Sequence, residues 1–156
     1  MIDEAAKQER IEQLVEQYVT SFGMARVGLF FLSGLKNHSD FSSFLNAFLS
    51  ALRRVNCRPV YSWSYDSCRD RYSLLLIVSG YFRTNMQDIH DAAIRIWSFY
   101  SIGSVELVAE IPVDLESLAQ DIMSVRETMT AIQFSPATSQ RILPCHQRTF
   151  ACSKLF

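Results

Sequence analysis

The sequence predicts one α+β domain with the split βαβ (ferredoxin-like) arrangement. This is a four-stranded antiparallel sheet in βαββαβ order with helices on one face, to which an N-terminal and a C-terminal helix are added. Apolar runs of strand length alternate with longer segments whose apolar residues recur at helical spacing. At 156 residues the chain can bury one core, and no internal repeat or change of composition marks a second domain.

The first part of the chain predicts a helix, a strand and a helix. Apolar residues at helical spacing indicate an N-terminal helix over residues 1–22, which Gly23 can end. Residues 25–32 are short, apolar and bounded by glycine, which is typical of a buried strand. A serine or aspartate that can cap a helix then opens a wide apolar stripe over residues 39–56, which predicts the second helix.

The middle of the chain, residues 59–83, predicts a hairpin. Residues 59–66 alternate aromatic and small side chains, so one face of this strand is aromatic. Residues 66–70 are polar and predict the turn. Residues 72–78 are almost entirely apolar, which indicates a strand that is buried on both faces.

The last part predicts a helix, a strand, a helix and a tail. Residues 84–100 have helical spacing, and residues 104–111 complete the βαββαβ core, which spans residues 25–111. Pro112 suits the first turn of a C-terminal helix over residues 113–133. Two prolines then predict an irregular tail over residues 134–156.

The charges are unevenly distributed although the net charge is only −1. Residues 21–83 carry eight basic and three acidic side chains, which is compatible with single-stranded DNA or RNA as a partner. No run approaches 18 apolar residues, and the acidic start does not resemble a signal peptide. We therefore expect a cytoplasmic protein with no membrane partner.

The aromatic strand has two interpretations. Tyr61, Trp63 and Tyr65 would share one face of it, where they could form a platform on which bases stack. Aromatic residues also favour strands without any ligand, so the same side chains could simply cover the sheet or pack under the helices.

Four segments of the chain occur in an order that resembles a known family. They are VYSWSYD, RYSLLLIVSGYFR, DIHDAAIRIW and, near the end, HQRTFACSKL. Together they resemble the Rep-related family of inovirus-type filamentous phages and cryptic prophages. The resemblance implies the fold of HUH-type replication initiators, which nick single-stranded DNA with a tyrosine and hold a metal ion with two histidines and a nearby acid.

The chain departs from that family at the catalytic positions. Arg71-Tyr72-Ser73 stands where the histidine pair is expected, and Ser124-Val125 stands where the helix of the family carries its tyrosine. Asp66 matches the acid and is a weak metal candidate, because one carboxylate makes a poor site. The resemblance therefore implies a degenerate relative that has lost the nicking chemistry, with no cofactor and no catalytic residues.

The cysteines and histidines do not indicate a specific metal or catalytic site. Cys57, Cys68, Cys145 and Cys152 form no CxxC pair and are expected to be thiols. Cys145, His146 and Cys152 could be three zinc ligands, but no fourth partner has suitable spacing. His38 and His90 are expected at the surface or near helix ends.

The leading hypothesis is a non-catalytic binding protein of phage, prophage or satellite type. It would engage nucleic acid, or a host replication or defence protein such as a CRISPR component, through the face derived from the nuclease site. The residues expected on that face are Tyr61, Trp63, Tyr65, Arg69, Arg71, Tyr72 and Arg83.

Two alternatives remain open. The chain could be a metal-dependent nickase whose chemistry has moved to Asp66, Asp70 and Tyr61 or Tyr65. It could instead be a protein-interaction module in which the acidic first helix and residues 88–127 dock a basic partner.

Overall fold

The computed structural model describes residues 4–81, 85–132 and 150–152. Within these ranges the chain forms four α-helices, five strands and one 3₁₀ turn. In chain order they are α1 (Glu4–Phe22), β1 (Met24–Ser33), α2 (Asp40–Arg54), β2 (Val60–Asp66), β3 (Arg71–Ser79), α3 (Met86–Trp97), β4 (Val105–Asp114), the 3₁₀ turn (Leu115–Ser117), α4 (Leu118–Ala131) and β5 (Phe150–Cys152).

The strands form one sheet in the order β4-β1-β3-β2-β5, and neighbouring strands are antiparallel. The first four strands in chain order confirm the predicted split βαβ sheet. The short strand β5 pairs Phe150–Cys152 with β2, within a segment that the sequence predicted to be irregular. Residues 134–149 and 153–156 of that predicted tail lie outside the described residues, as does residue 133 at the end of the predicted last helix.

Helices α2 and α3 pack on one face of the sheet, as predicted for the two helices of a βαββαβ unit. Both are amphipathic, and their apolar stripes meet the alternate residues of β1 and β3 that point to this face. Asn85 caps the start of α3, because its Oδ1 accepts a hydrogen bond from the Asp88 backbone N–H at 3.0 Å.

Helices α1 and α4 pack on the opposite face, an assignment that the sequence had left open. Their buried residues contact the other set of alternating residues of β1, β3 and β4. An ion pair between Arg126 on α4 and Glu12 on α1 joins the two helices and lowers the pKa of Glu12. Because both faces are covered, β1 and β3 are buried along nearly their whole length, which explains their continuous apolar runs.

The boundary between β4 and the last helix differs from the prediction. Pro112 lies inside β4 opposite Arg26, so the prediction that it begins the C-terminal helix is wrong. Proline is tolerated there because β4 is an outer strand of the described sheet, and an edge position needs no donor on its outer side. The last helical segment begins after Asp114, whose Oδ1 accepts a hydrogen bond from the Glu116 backbone N–H at 3.0 Å.

No helix among the described residues is both long enough and apolar enough to span a bilayer.

Candidate functional site

The predicted aromatic platform lies on the face of the sheet that α2 covers. Tyr61, Trp63 and Tyr65 point to this face, and Tyr72 on β3 stands opposite Tyr65 in the register. Only 5% of Tyr65 and 3% of Tyr72 are exposed, while Tyr61 and Trp63 are half-buried. The first two rings are therefore part of the core rather than of an open surface.

Phe41, in the first turn of α2, holds this cluster together. Its ring stacks on that of Tyr72 with a centroid distance of 4.0 Å and an interplanar angle of 4°, and it lies 4.8 Å from the Trp63 ring. One face of Tyr72 is thus already used by a neighbouring aromatic ring. The interpretation in which the strand aromatics pack under the helices describes this region better than a base-stacking platform does.

The polar atoms of the cluster are also engaged. His38 Nδ1 lies 2.8 Å from the Tyr72 hydroxyl oxygen, and the Tyr65 hydroxyl donates to Asp70 Oδ1 at 2.6 Å. The His38 ring meets the Tyr65 ring edge-on at a centroid distance of 4.7 Å. The sequence predicted His38 at the surface or near a helix end but carried no signal for this network, because its members come from separate elements.

Asp66 organises the hairpin turn. Its Oδ1 accepts hydrogen bonds from the backbone N–H groups of Cys68 at 3.0 Å and Arg69 at 3.3 Å, and its Oδ2 accepts one from Arg69 Nη1 at 2.8 Å. This carboxylate is therefore employed in turn formation and ion pairing. In the part of the chain that the structure describes, no group of three or more His, Cys, Asp or Glu side chains is arranged to hold a metal ion.

Four of the predicted side chains are not described by the structure, and His90 has a structural contact. The side chains of Cys145, His146 and Cys152 lie outside the described residues, and so does Arg83. His90 sits where α3 meets β4, with its Nε2 2.8 Å from the Val105 carbonyl oxygen, as expected of a structural histidine.

Arg71 lies on the opposite face of the sheet from the aromatic cluster. Its guanidinium carbon is 3.5 Å from the centroid of the Phe31 ring, and burial lowers the pKa of Arg71. Ser73 is buried on the same face, and so is Val125, which points inward from α4. The predicted binding residues are thus divided between the two faces of the sheet.

An open cleft at the other end of the β2–β3 hairpin was not predicted. It has a volume of about 600 Å³ and lies where the end of α1, the loop after α2 and the end of β3 meet. Its lining residues are Ser21, Phe22, Val55, Asn56, Arg58, Ser79 and Tyr81. These residues come from the end of α1, the loop after α2 and the end of β3, which only the tertiary structure brings together.

Two aromatic rings and a cation form the core of this cleft. The Arg58 guanidinium carbon lies 4.7 Å from the centroid of the Phe22 ring, a cation–π contact. Tyr81 is 69% exposed. A Cβ added to Gly23, which has φ +89°, would lie 3.1 Å from the Tyr81 hydroxyl oxygen, so the phenol rests against the end of α1.

Hydrogen bonds from α1 and β3 hold the loop that carries Arg58. The Tyr18 hydroxyl donates to the Arg58 carbonyl oxygen at 2.8 Å, and the Ser79 backbone N–H donates to the Cys57 carbonyl oxygen at 2.9 Å. Cys57 itself is fully buried, and its thiol contacts the Leu52 carbonyl oxygen at 3.1 Å. Burial raises the pKa of Cys57 to about 11 and moves the pKa of Tyr18 upward as well.

The backbone of this loop is strained. Asn56 has φ 60° and Arg58 has φ 49°, both in the left-handed region. Asparagine tolerates that region, whereas arginine adopts it rarely, at a cost on the order of 1 kcal/mol. The tertiary hydrogen bonds of Tyr18 and Ser79 oppose this cost and fix the direction in which the loop leaves the sheet.

The cleft edge has positive charge. Arg53 and Arg54, both exposed, end α2 next to the cleft residues Val55 and Asn56. The C-termini of α1 and α2 oppose them with about −0.5 elementary charge each. Together with Arg58 the three arginines outweigh the two helix ends, and none of the described lining residues is acidic.

An exposed apolar patch lies elsewhere, after α3. Phe99 is 79% exposed and Ile102 is 82% exposed, and both belong to the loop that leads into β4. Contiguous exposed apolar surface marks candidate protein-binding sites, and these two side chains are three residues apart in one loop.

Comparisons with protein-family models, with curated proteins and with solved structures found no significant match to this chain. Arguments about function therefore rest on the geometry of the chain itself.

Proposed function

We propose that this protein is a non-catalytic binding protein for single-stranded nucleic acid. The observation that carries the proposal is Arg58, which lines an open cleft with an exposed aromatic ring and is preceded in the chain by the exposed Arg53 and Arg54 at the end of α2. Proteins that bind single strands without sequence preference combine positive charge along the backbone with aromatic rings for the bases. The binding surface is thus the end of the hairpin opposite the aromatic cluster.

The absence of catalysis is part of the proposal. Val125, at the position compared with the nucleophile of replication initiators, is fully buried, and its hydrocarbon side chain has no atom that could attack a phosphate. Arg71, at a position compared with a metal ligand, places a cation against Phe31. Both observations support a protein without the nicking chemistry, and the resemblance supports a replication-initiator-like scaffold with an origin in a phage, prophage or satellite element.

A salt titration tests the proposal. A fluorescently labelled single-stranded oligonucleotide should bind at low salt, and the logarithm of its association constant should fall with the logarithm of salt concentration. The slope is about −0.7 for each phosphate that the protein neutralises. The double variant Arg53→Ala/Arg54→Ala should bind more weakly for every sequence tested, with a slope shallower by about 1.4.

The matched control is Arg95→Ala, which removes an exposed arginine from α3, near the apolar loop rather than the cleft. It should leave affinity and slope within error of the unmodified protein. Failure of DNA and RNA oligonucleotides to bind at low salt would overturn the proposal, and so would a double variant with an unchanged slope.

A nickase is the second candidate, and one contact favours it. The Tyr65 hydroxyl donates to Asp70 at 2.6 Å, which pairs a potential nucleophile with a potential base. Incubation of labelled single-stranded DNA with Mn²⁺ or Mg²⁺ should leave the DNA intact if the protein only binds. Cleavage, or a covalent tyrosyl adduct that Tyr65→Phe removes, would establish the enzyme and refute the non-catalytic proposal.

A protein-interaction module is the remaining alternative, favoured by the exposed Phe99 and Ile102. A partner bound there would copurify with the unmodified protein and be lost from Phe99→Ser/Ile102→Ser, whereas oligonucleotide binding would be unaffected.

A further inference from the structure

We infer that the cleft between Phe22, Arg58 and Tyr81 holds one nucleotide unit of the bound strand, with a base stacked on Tyr81 and a phosphate bound to Arg58. The inference rests on the proposed function and assigns a subsite to it. It depends on three properties of the cleft: an accessible aromatic face, a positioned cation, and polar groups between the two.

Tyr81 supplies the accessible face. Its side chain is 69% exposed, in contrast to the buried side chains of Tyr65 and Tyr72. Its position is nevertheless defined, because its hydroxyl lies against the end of α1 at Gly23 and its backbone N–H donates to Ser79 Oγ at 3.3 Å. A ring that is exposed but anchored loses little freedom when a base stacks on it.

Arg58 supplies the cation. Its guanidinium lies over the Phe22 ring, and a guanidinium stacked in this way keeps the N–H donors around its edge for hydrogen bonds in its own plane. Those donors match the paired oxygens of a phosphate. The ring contact and the pinned carbonyl oxygen of Arg58 restrict where the charge can sit.

The backbone conformation of Arg58 supports a role for its side chain. A glycine would relieve the strain at φ 49°, and the position instead carries a long cationic side chain at the wall of the cleft. Strain retained in the wall of a cavity is typical of ligand-binding segments.

The other lining residues can form hydrogen bonds with a base without selecting one base over another. Asn56 presents an exposed amide that can both donate and accept hydrogen bonds, and Ser21 adds a hydroxyl group. The cleft volume of about 600 Å³ falls within the usual range of small-molecule sites and accommodates a single nucleotide unit. We therefore expect binding that varies little with the identity of the base and that is much stronger for a strand than for a free nucleotide.

The experiment compares two variants in the same oligonucleotide assay, with an oligothymidylate of about twelve nucleotides as the probe. Tyr81→Ala should weaken binding by between about 5-fold and 150-fold with an unchanged salt slope, since stacking neutralises no phosphate. Tyr81→Phe should restore most of the affinity. Arg58→Ala should weaken binding and make the slope shallower by about 0.7.

Phe99→Ala is the matched control, because it removes an aromatic ring that is 79% exposed on another part of the surface. It should bind the oligonucleotide as the unmodified protein does. Nuclear magnetic resonance of the unmodified protein provides a measurement that needs no substitution. The amide resonances of Asn56, Arg58 and Ser79 should shift on addition of the oligonucleotide.

The possible failures are distinguishable. Loss of binding in Arg53→Ala/Arg54→Ala together with unaltered binding by Tyr81→Ala and Arg58→Ala would overturn the subsite and leave the proposed function standing. No binding by the unmodified protein would overturn both. Thymidine monophosphate that displaces the oligonucleotide at a similar concentration would identify the ligand as a free nucleotide and refute the assignment to a strand.

Discussion

The two ends of the β2–β3 hairpin use aromatic side chains in opposite ways. At the turn end, Tyr65 and Tyr72 are buried beneath α2, and Phe41 stacks on the Tyr72 ring. At the other end, Tyr81 is 69% exposed beside Arg58 and an open cleft. The strand aromatics stabilise the fold, whereas the aromatic residue beyond the end of the strand is available to a ligand.

This difference follows from the topology. The crossover helix α2 begins just before Phe41 and runs over the face of β2 and β3, so aromatic residues on that face are covered. Tyr81 follows the end of β3 and escapes this cover, since 69% of its side chain is exposed. Binding surfaces are common on loops that are held by a rigid sheet.

The largest expected effect tests whether the aromatic cluster at the turn end of the hairpin belongs to the hydrophobic core. Phe41→Ala should lower the free energy of unfolding by about 3–5 kcal/mol, because it removes a buried ring that contacts both Tyr72 and Trp63. Phe41→Leu should cost less than about 1.5 kcal/mol. Denaturant unfolding followed by circular dichroism measures both.

The open end supplies the contrast. Tyr81→Ala should change the free energy of unfolding by no more than about 0.5 kcal/mol, because its ring is largely exposed. A loss of several kcal/mol from Tyr81→Ala, or an unaffected stability for Phe41→Ala, would contradict the division between a structural end and a binding end.

The sequence predicted the sheet because periodicity reports burial directly. The continuous apolar run of β3 and the helical stripe of α2 left few alternatives, and both were confirmed within two residues at each end. Pro112 led to a wrong prediction of the start of the last helix, because proline suits both the first turn of a helix and an edge strand. Only the strand order decides between the two.

The candidate site was harder to predict for a related reason. Alternation placed Tyr61, Trp63 and Tyr65 correctly on one face, but local sequence does not state which face α2 covers. The cleft joins residues near positions 22, 58 and 81, whose proximity exists only after the sheet has formed. Arg58 and Tyr81 carry no motif that could have identified them.

Cys57 allows a pH test of the structure beneath the cleft. Burial raises the pKa of Cys57 from an ordinary value of 9.0 to about 11, so the unfolded chain loses the thiol proton first as pH rises. The stability that Cys57 contributes is therefore complete below about pH 9 and is lost as pH approaches 11, by up to about 3 kcal/mol. The difference in unfolding free energy between the unmodified protein and Cys57→Ala should shrink across this interval.

Alkylation with iodoacetamide near neutral pH provides an independent check, read by peptide mapping. The exposed Cys68 should react in the native protein, whereas the fully buried Cys57 should react only after unfolding. Rapid labelling of native Cys57 would mean that the loop opens readily, and the cleft would then lack the rigid floor that its hydrogen bonds imply.

The smallest expected effect concerns the face of the hairpin opposite the aromatic cluster. Ser62 is 1% exposed on β2, and its Oγ has no hydrogen-bond partner among the residues that the structure describes. A buried hydroxyl group without a partner lowers stability, so Ser62→Ala should raise the free energy of unfolding by about 1 kcal/mol. Ser101→Ala is the matched control, because its Oγ donates to the Ser33 carbonyl oxygen at 2.9 Å and its removal should lower stability by a similar amount. If Ser62→Ala also lowers stability, the hydroxyl is satisfied in solution, and this face of the hairpin has a polar role that the aromatic face does not share.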